Sequence, residues 1–245
     1  MNETLLITGA SSGVGLSLAK KLSGRYHVIA AARRIDRLND SFGSNDNVSV
    51  YQLDLSNLDE TESVIREILD KHGYIPYVIN NAGIMHHAAV TDLMKEDLLR
   101  SLHVNAIAPY IIMKSVLPGM RKKNFGRMIN VTSGAPLNCS EGYAAYSGSK
   151  AVLNALTVTA AKENAAYDIK INLMSPGPCK TEISPFGTMD PEVCHPTAEY
   201  LLGLDSDGPT GKFFWLGYEV PLYPDLEGVQ WLEGIGNEKL RRVLP

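Results

Sequence analysis

Tyr146 and Lys150 stand four residues apart in the string Tyr146-Ser147-Gly148-Ser149-Lys150. On a helix that spacing puts the phenol and the ammonium on one face, a turn apart. Tyrosine alone is a poor acid or base at neutral pH, with an unperturbed pKa of about 10. A neighbouring cation favours its phenolate and brings the proton into working range, so the pair is suited to carry a proton to or from a carbonyl or alcohol oxygen. Ser133, just past an apolar run, can reach the same oxygen with its hydroxyl, and Asn105 lies in a helical stretch upstream. Taken singly, each has a plainer reading: a surface pair on a helix, a strand-end cap, a buried amide. A cofactor motif earlier in the chain is what makes them one constellation.

That motif is residues 8–15, Thr-Gly-Ala-Ser-Ser-Gly-Val-Gly. Gly9, Gly13 and Gly15, with Ser11, Ser12 and Val14 between them, follow an apolar run and open a helix. Small residues there let the backbone approach a pyrophosphate, and the helix N-terminus adds free N–H donors and partial positive charge. The spacing is wider than the common G-x-G-x-x-G. Which nicotinamide cofactor it serves follows from the end of the second apolar run, Ala30-Ala31-Ala32-Arg33-Arg34. An acid there would accept from the ribose 2′-hydroxyl of NAD, whereas arginine would pair with the 2′-phosphate of NADP. No acid is present, and Asp36 comes too late to serve, so Arg33 and Arg34 point to NADP(H).

The elements that must position these residues are legible as alternating patterns. Short apolar or β-branched runs recur at residues 4–8, 27–31, 48–53, 77–80, 127–131, 170–174 and 212–216. Between them lie helical patterns. Residues 59–72 place Val64, Ile65, Ile68 and Leu69 on one face, and residues 150–163 repeat apolar positions likewise. Alternation of this kind predicts an α/β fold, a doubly wound parallel sheet of about seven strands with helices on both faces. Ligands of such sheets collect at the carboxyl ends of the strands. The 245 residues fit one domain, 1–245, with 217–245 as a C-terminal tail in which Leu226, Val229, Trp231 and Leu232 suggest packing and some helix. A net charge of −4 offers no field for a nucleic-acid backbone or an anionic membrane. With no leader pattern and no long apolar span, the expectation is a soluble, cytoplasmic protein acting on a small molecule. Cys139, Cys179 and Cys194 lack paired spacing and read as free thiols, while His86, His87 and His103 make no metal pattern and read as rim or surface residues.

Over nearly its whole length the chain resembles the short-chain dehydrogenase/reductases. The resemblance is carried, in the family's order and spacing, by residues 8–15, Leu-Asp-Leu-Ser at 53–56, Asn-Asn-Ala-Gly at 80–83, Asn105, Ser133, the Tyr146/Lys150 string and Pro-Gly-Pro-Cys-Lys-Thr at 176–181. It implies a Rossmann fold and hydride transfer between the nicotinamide and a carbonyl or alcohol carbon. Asp54 and Leu55 would border the adenine, and Asn81, Ala82 and Gly83 would run beside the adenosine ribose. Asn105 would support a water relay behind Lys150, which would also contact the nicotinamide ribose. Pro176 and Gly177 would bend the chain across the ring, and Thr181 would bond its carboxamide. Ala32 holds the place where NAD users of the family usually carry aspartate, and Arg33 the place where NADP users carry arginine. The family pairs two helices across a two-fold axis. Here Ile107, Tyr110, Ile111, Met113, Val152, Leu153, Leu156 and Val158 lie on the corresponding helices, which implies a homodimer, or a homotetramer built from dimers.

Substrate contacts are expected from residues 134–143 and 183–195, with Leu137, Tyr143, Pro185 and Phe186 beside Asn138 and Glu141. Two other readings stay open at this point: an NAD-linked alcohol dehydrogenase, and a scaffold or sensor that binds NADP without turnover.

Overall fold

The computed structural model describes residues 3–224 together with Leu226 and Leu240. Strands β1 (Thr4–Thr8), β2 (His27–Ala32), β3 (Val48–Gln52), β4 (Tyr77–Asn80), β5 (Gly126–Val131), β6 (Ile169–Ser175), β7 (Phe213–Trp215) and β8 (Tyr218–Val220) form one sheet in the order β3-β2-β1-β4-β5-β6-β7-β8. All neighbours pair in parallel except β7 and β8. The helices are α1 (Gly13–Leu22), α2 (Ile35–Phe42), α3 (Leu58–His72), α4 (Lys95–Leu102), α5 (Ala108–Lys123), α6 (Ala135–Asn138), α7 (Ala144–Glu163) and α8 (His195–Leu202).

Two large cores, one on each face of the sheet, explain why β1, β2 and β4 read as nearly continuous apolar runs. On β1, Leu5 and Ile7 face a core with Leu18 and Leu22 of α1, Leu38 of α2 and Leu201 of α8. Leu6, between them, faces the opposite core, with Ile65 and Ile68 of α3, Ile112 and Val116 of α5 and Ala161 of α7. The period of two thus sorts neighbouring residues onto the two faces. Strand order reverses between β1 and β4, so the chain ends leaving those strands splay apart and open a crevice. The glycine turn at 9–15 leaves β1 and the 80–83 segment leaves β4, which places both at that crevice.

Helix α7 is keyed to β5 by polar contacts in the core. Asn130 Nδ2 donates to Thr157 Oγ1 at 2.8 Å, and Thr132 Oγ1 donates to Asn154 Oδ1 at 2.6 Å. Asn80 Nδ2 donates to Asn130 Oδ1 at 2.8 Å and ties β4 to the same pair. At the other end of β5 the buried Arg127 donates to the carbonyls of Leu204, Gly126 and Asp168 and pairs with the Asp168 carboxylate at 2.8 Å.

The expected strands are all present, and α3 starts one residue earlier than expected because Asn57 caps it by accepting from Glu60 N–H at 3.1 Å. The eighth strand departs from the expectation. Residues 217–220, assigned by sequence to a tail, form a turn and the antiparallel strand β8. The turn residues Leu216 and Gly217 have φ of 48° and 83°, the pattern of a two-residue hairpin turn with both central residues left-handed. Leucine is disfavoured there, by about 1 kcal/mol. Its side chain packs against Gly177, so a tertiary contact overrides the local preference. Val229, Trp231 and Leu232 lie outside the described residues, and Leu226 is partly buried.

Candidate active site

Helix α7 brings Tyr146, Ser149 and Lys150 to the carboxyl end of β5. Lys150 is 3% exposed, and its Nζ donates to the carbonyl of Val131 at 2.8 Å. The ammonium lies 6.0 Å from the Tyr146 ring centroid. Burial lowers the Lys150 pKa to about 8. Burial also raises that of Tyr146, with the Ser133 hydroxyl pulling it partly back. This modifies the sequence-based expectation: in the protein alone the lysine does not draw the phenol toward neutrality. Desolvation dominates, and the resting phenol of the cofactor-free protein is a protonated donor.

Asn105 sits in a wide π turn, His103–Ile107, between α4 and α5. Its Oδ1 accepts from Ile84 N–H at 2.8 Å, and its Nδ2 donates to Ile84 O at 2.8 Å and to Ser149 Oγ at 2.9 Å. The amide is therefore engaged in holding the loop after β4 against α7, and it does not line the cleft. Asn105 thus touches Ile84 and Ser149, not the cleft itself. Gly83 lies alongside: a Cβ there would stand 3.2 Å from Asn105 Oδ1 and 3.6 Å from Lys150 Nζ.

The crevice is a cleft of about 470 Å³. Apart from Gly15 and Asn105, the expected catalytic and cofactor residues all line it: Gly9, Ser11, Ser12, Gly13, Val14, Arg33, Arg34, Asp54, Leu55, Asn81, Ala82, Gly83, Ser133, Tyr146, Lys150, Pro176, Gly177 and Thr181. Gly15 serves packing instead. A Cβ there would lie 2.4 Å from both Asn81 Nδ2 and Gly9 O, so only glycine lets α1 seat against the segment after β4. Asn81 fixes that segment by donating its Nδ2 to Thr8 O at 3.0 Å, while Thr8 Oγ1 accepts from the N–H groups of Asn81 and Ala82.

The residues present fit a dinucleotide. Gly9 and Gly13 hold φ of 69° and 53°, which brings the bare backbone to the cleft wall. Ser12, at the start of α1, makes no side-chain cap, so it leaves the first-turn N–H groups for an anion. Asp54 Oδ1 accepts from Ser56 N–H and Oγ at 2.9 and 2.7 Å. Burial opposes its ionisation, but these bonds and the charges of Arg33 and Arg100 outweigh burial and hold the carboxyl below its ordinary value.

At the adenosine end, Arg33 is exposed and makes no ion pair among the described residues. Arg34 is already committed: Nη1 meets Glu182 Oε2 at 2.7 Å and Nη2 donates to Ser12 Oγ at 2.7 Å. Arg37 Nη1 meets the other Glu182 oxygen at 2.5 Å. Sequence reasoning missed Glu182 and Arg37, which meet across 145 residues, and Arg100, whose charge acts on the distant Asp54, because such meetings leave no local pattern.

On the substrate side the expectation fails in detail. None of Leu137, Asn138, Glu141, Tyr143, Pro185 and Phe186 lines the cleft; of the two expected loops only 183–195 reaches it, through Ile183 and Ser184, and Ile84 and Met85 line it as well. Phe186 is 95% exposed at the tip of its turn. Glu141 belongs to a separate hollow of about 340 Å³ with Val90, Pro136 and Cys139. Tyr143 is taken up by an edge-on contact with His87, their ring centroids 4.8 Å apart. His86 pairs with Asp97 at 3.5 Å.

A profile of the family described as short chain dehydrogenase matches residues 3–188. The human "Dehydrogenase/reductase SDR family member 4" is 28% identical over 244 residues, covering 90% of this chain and 88% of that protein. A 3-oxoacyl-(acyl-carrier-protein) reductase of Thermotoga maritima is 30% identical over 187 residues, covering 74% and 76%. Among solved structures, ElxO with NADP bound has a TM-score of 0.79 at 28% identity, covering 88% of this chain and 97% of that one. A 4-hydroxyisoleucine dehydrogenase complexed with NADH has a TM-score of 0.81 at 26% identity, covering 87% and 96%. The topology, the glycine turn after β1 and the tyrosine and lysine on one face of α7 agree with these matches, and the chain belongs to the short-chain dehydrogenase/reductase family of oxidoreductases.

Proposed function

We propose that this protein is an NADP(H)-dependent oxidoreductase that transfers hydride between the nicotinamide and a small carbonyl or alcohol substrate, with Tyr146 as general acid and base. The observation that carries this reading is the Tyr146/Lys150 pair, with Ser133, on the wall of the cleft headed by the glycine turn. When bound, the nicotinamide supplies or accepts the hydride. The chain's own residues manage the proton and the placing. The phenol of Tyr146 gives its proton to the substrate oxygen in reduction and takes it back in oxidation. Ser133 donates to the same oxygen and holds it in reach. Lys150, tethered to Val131 O, provides a charge that offsets the phenolate as it forms.

NADP(H) is favoured by Arg33 and by the absence of an acid at Ala32; similar structures hold either cofactor, so these residues carry the choice. The NAD-linked reading has one observation in its favour, the commitment of Arg34 to Glu182. A charge-assisted bond from Arg33 to the 2′-phosphate is worth about ten- to a hundredfold in affinity. Fluorescence titration of NADPH and NADH tests it. NADPH is expected to bind tighter by that factor, and Arg33→Ala to remove most of the difference; equal affinity, or tighter NADH, sinks the assignment. A carbonyl and alcohol panel followed by NADPH absorbance tests turnover and separates an enzyme from a scaffold.

We further expect one domain over residues 1–245, a cytoplasmic location and a homodimer or a tetramer of dimers. Among the described residues no helix is long and apolar enough to cross a membrane. The dimer reading is supported by Tyr110 on α5 and Val152 on α7, which stay exposed while Ile111, Met113 and Leu153 are buried within the chain.

A further inference from the structure

Residues 176–189 form an internally bonded flap. Lys180 N–H donates to Met189 O at 2.8 Å, and Thr188 and Met189 both donate to Pro178 O. The flap meets the cofactor half of the cleft at two points. Thr181 lies against Gly13, where a Cβ would stand 3.0 Å from Thr181 Cγ2. Next to it, Glu182 reaches α2 and holds Arg34 and Arg37, one through each carboxylate oxygen. Arg34 also holds Ser12 of the glycine turn, so the three elements are tied together beside the cleft.

We propose that Glu182 is a specificity-determining residue that weakens binding of a 2′-phosphate by occupying Arg34 and Arg37, two cations beside Arg33 at that end of the cleft. This rests on the nicotinamide-dinucleotide reading above. The chemistry is a competition between anions. A 2′-phosphate is close to doubly charged and draws guanidinium groups toward it. To use Arg34 it must take that side chain from Glu182, or settle beside an uncompensated carboxylate. A 2′-hydroxyl competes for neither arginine, so the cost falls on NADP-type ligands alone. The preference for NADP(H) is therefore smaller than three neighbouring arginines suggest, with Arg33 contributing most of it. By linkage, a ligand that takes Arg34 also loosens the flap.

Adenosine 2′,5′-bisphosphate and adenosine 5′-monophosphate isolate the effect from hydride chemistry. Both are titrated calorimetrically into wild type, Glu182→Gln, Arg33→Ala and, as a control for net charge, Asp40→Asn. The two ion pairs are solvent-exposed, which limits the gain to about three- to tenfold. Glu182→Gln is expected to tighten the bisphosphate by that factor, with the monophosphate and the Asp40→Asn variant changing less than about twofold. Unchanged or weakened bisphosphate binding in Glu182→Gln overturns the proposal, since Glu182 would then be inert or would hold Arg34 in its productive place. Equal tightening of both ligands also overturns it. The cofactor reading fails separately: a wild type that binds both ligands equally, with no loss in Arg33→Ala, removes the NADP assignment. A 2′-phosphate preference appearing only in Glu182→Gln would still uphold the role of Glu182.

Discussion

Replacing Lys150 by methionine is expected to abolish function and stabilise the fold. Burial lowers the Lys150 pKa from 10.5 to about 8. Each pKa unit is about 1.36 kcal/mol, so holding this ammonium in the cofactor-free core at neutral pH costs about 3 kcal/mol. Methionine fills similar space with no charge. It also leaves Val131 O without the donor it has at 2.8 Å, a loss of about 1–2 kcal/mol. The net expectation is a variant more stable than wild type by about 1–2 kcal/mol near pH 7. The gap has a definite pH dependence. The folded pKa lies below the unfolded one, so between about 8 and 10.5 the unfolded chain keeps a proton that the folded protein has released. Wild-type stability therefore gains on that of the variant as pH rises through this window, by about 2 kcal/mol between pH 7 and 9.5, which erases or reverses the gap. Urea unfolding of both cofactor-free proteins at those two pH values measures it. A methionine variant less stable than wild type at pH 7, or a gap unaffected by pH, refutes the claim that Lys150 is held charged at the expense of the fold.

Tyr146→Phe is expected to lower turnover by about 10²–10⁴-fold while cofactor titration and the thermal melt stay close to wild type, since only the phenolic hydroxyl is removed. Retention of more than about a tenth of the rate would end the general-acid assignment. Gly15→Ala places a Cβ 2.4 Å from Asn81 Nδ2 and Gly9 O and is expected to cost about 1–3 kcal/mol, read by urea unfolding; a neutral result would mean that the junction of α1 with the segment after β4 yields readily. Light scattering at micromolar concentration is expected to show a dimer or tetramer, and a mass near 26.7 kDa would contradict the assembly inferred from Tyr110 and Val152.

What could be read from the sequence is what local chemistry controls. Strands covered on both faces are mainly apolar, so β1, β2 and β4 stand out as runs. The left-handed conformations of Gly9 and Gly13, and the one-turn spacing of Tyr146 and Lys150, are equally local demands. Features produced by the meeting of distant segments escaped. Glu182 meets Arg34 only through a contact between segments 148 residues apart, and Leu216 takes its left-handed turn with its side chain against Gly177. The loop side chains Leu137 and Phe186 were expected to line the cleft, but loop direction depends on the turns that hold it, not on residue type. Burial of the pair is equally illegible: spacing reveals a neighbouring charge but says nothing of the desolvation that raises the Tyr146 pKa and lowers that of Lys150 in the cofactor-free protein.

The polar contacts between α7 and β5 bear on how errors would propagate. A purely oily seam lets a helix slide, because one arrangement of greasy side chains is nearly as good as the next. The Thr132/Asn154 and Asn130/Thr157 bonds make sliding discontinuous, since a shift of one residue breaks both at once in the buried core. One residue is about 1.5 Å along a helix, and a misplacement of about 1 Å at a reacting group can cost a hundredfold in rate. The seam thus works like the detent of an instrument stage, adding little holding force but allowing only one stop. Redesigning it with close-packed aliphatic residues would preserve the melting temperature more readily than the alignment of the proton donor.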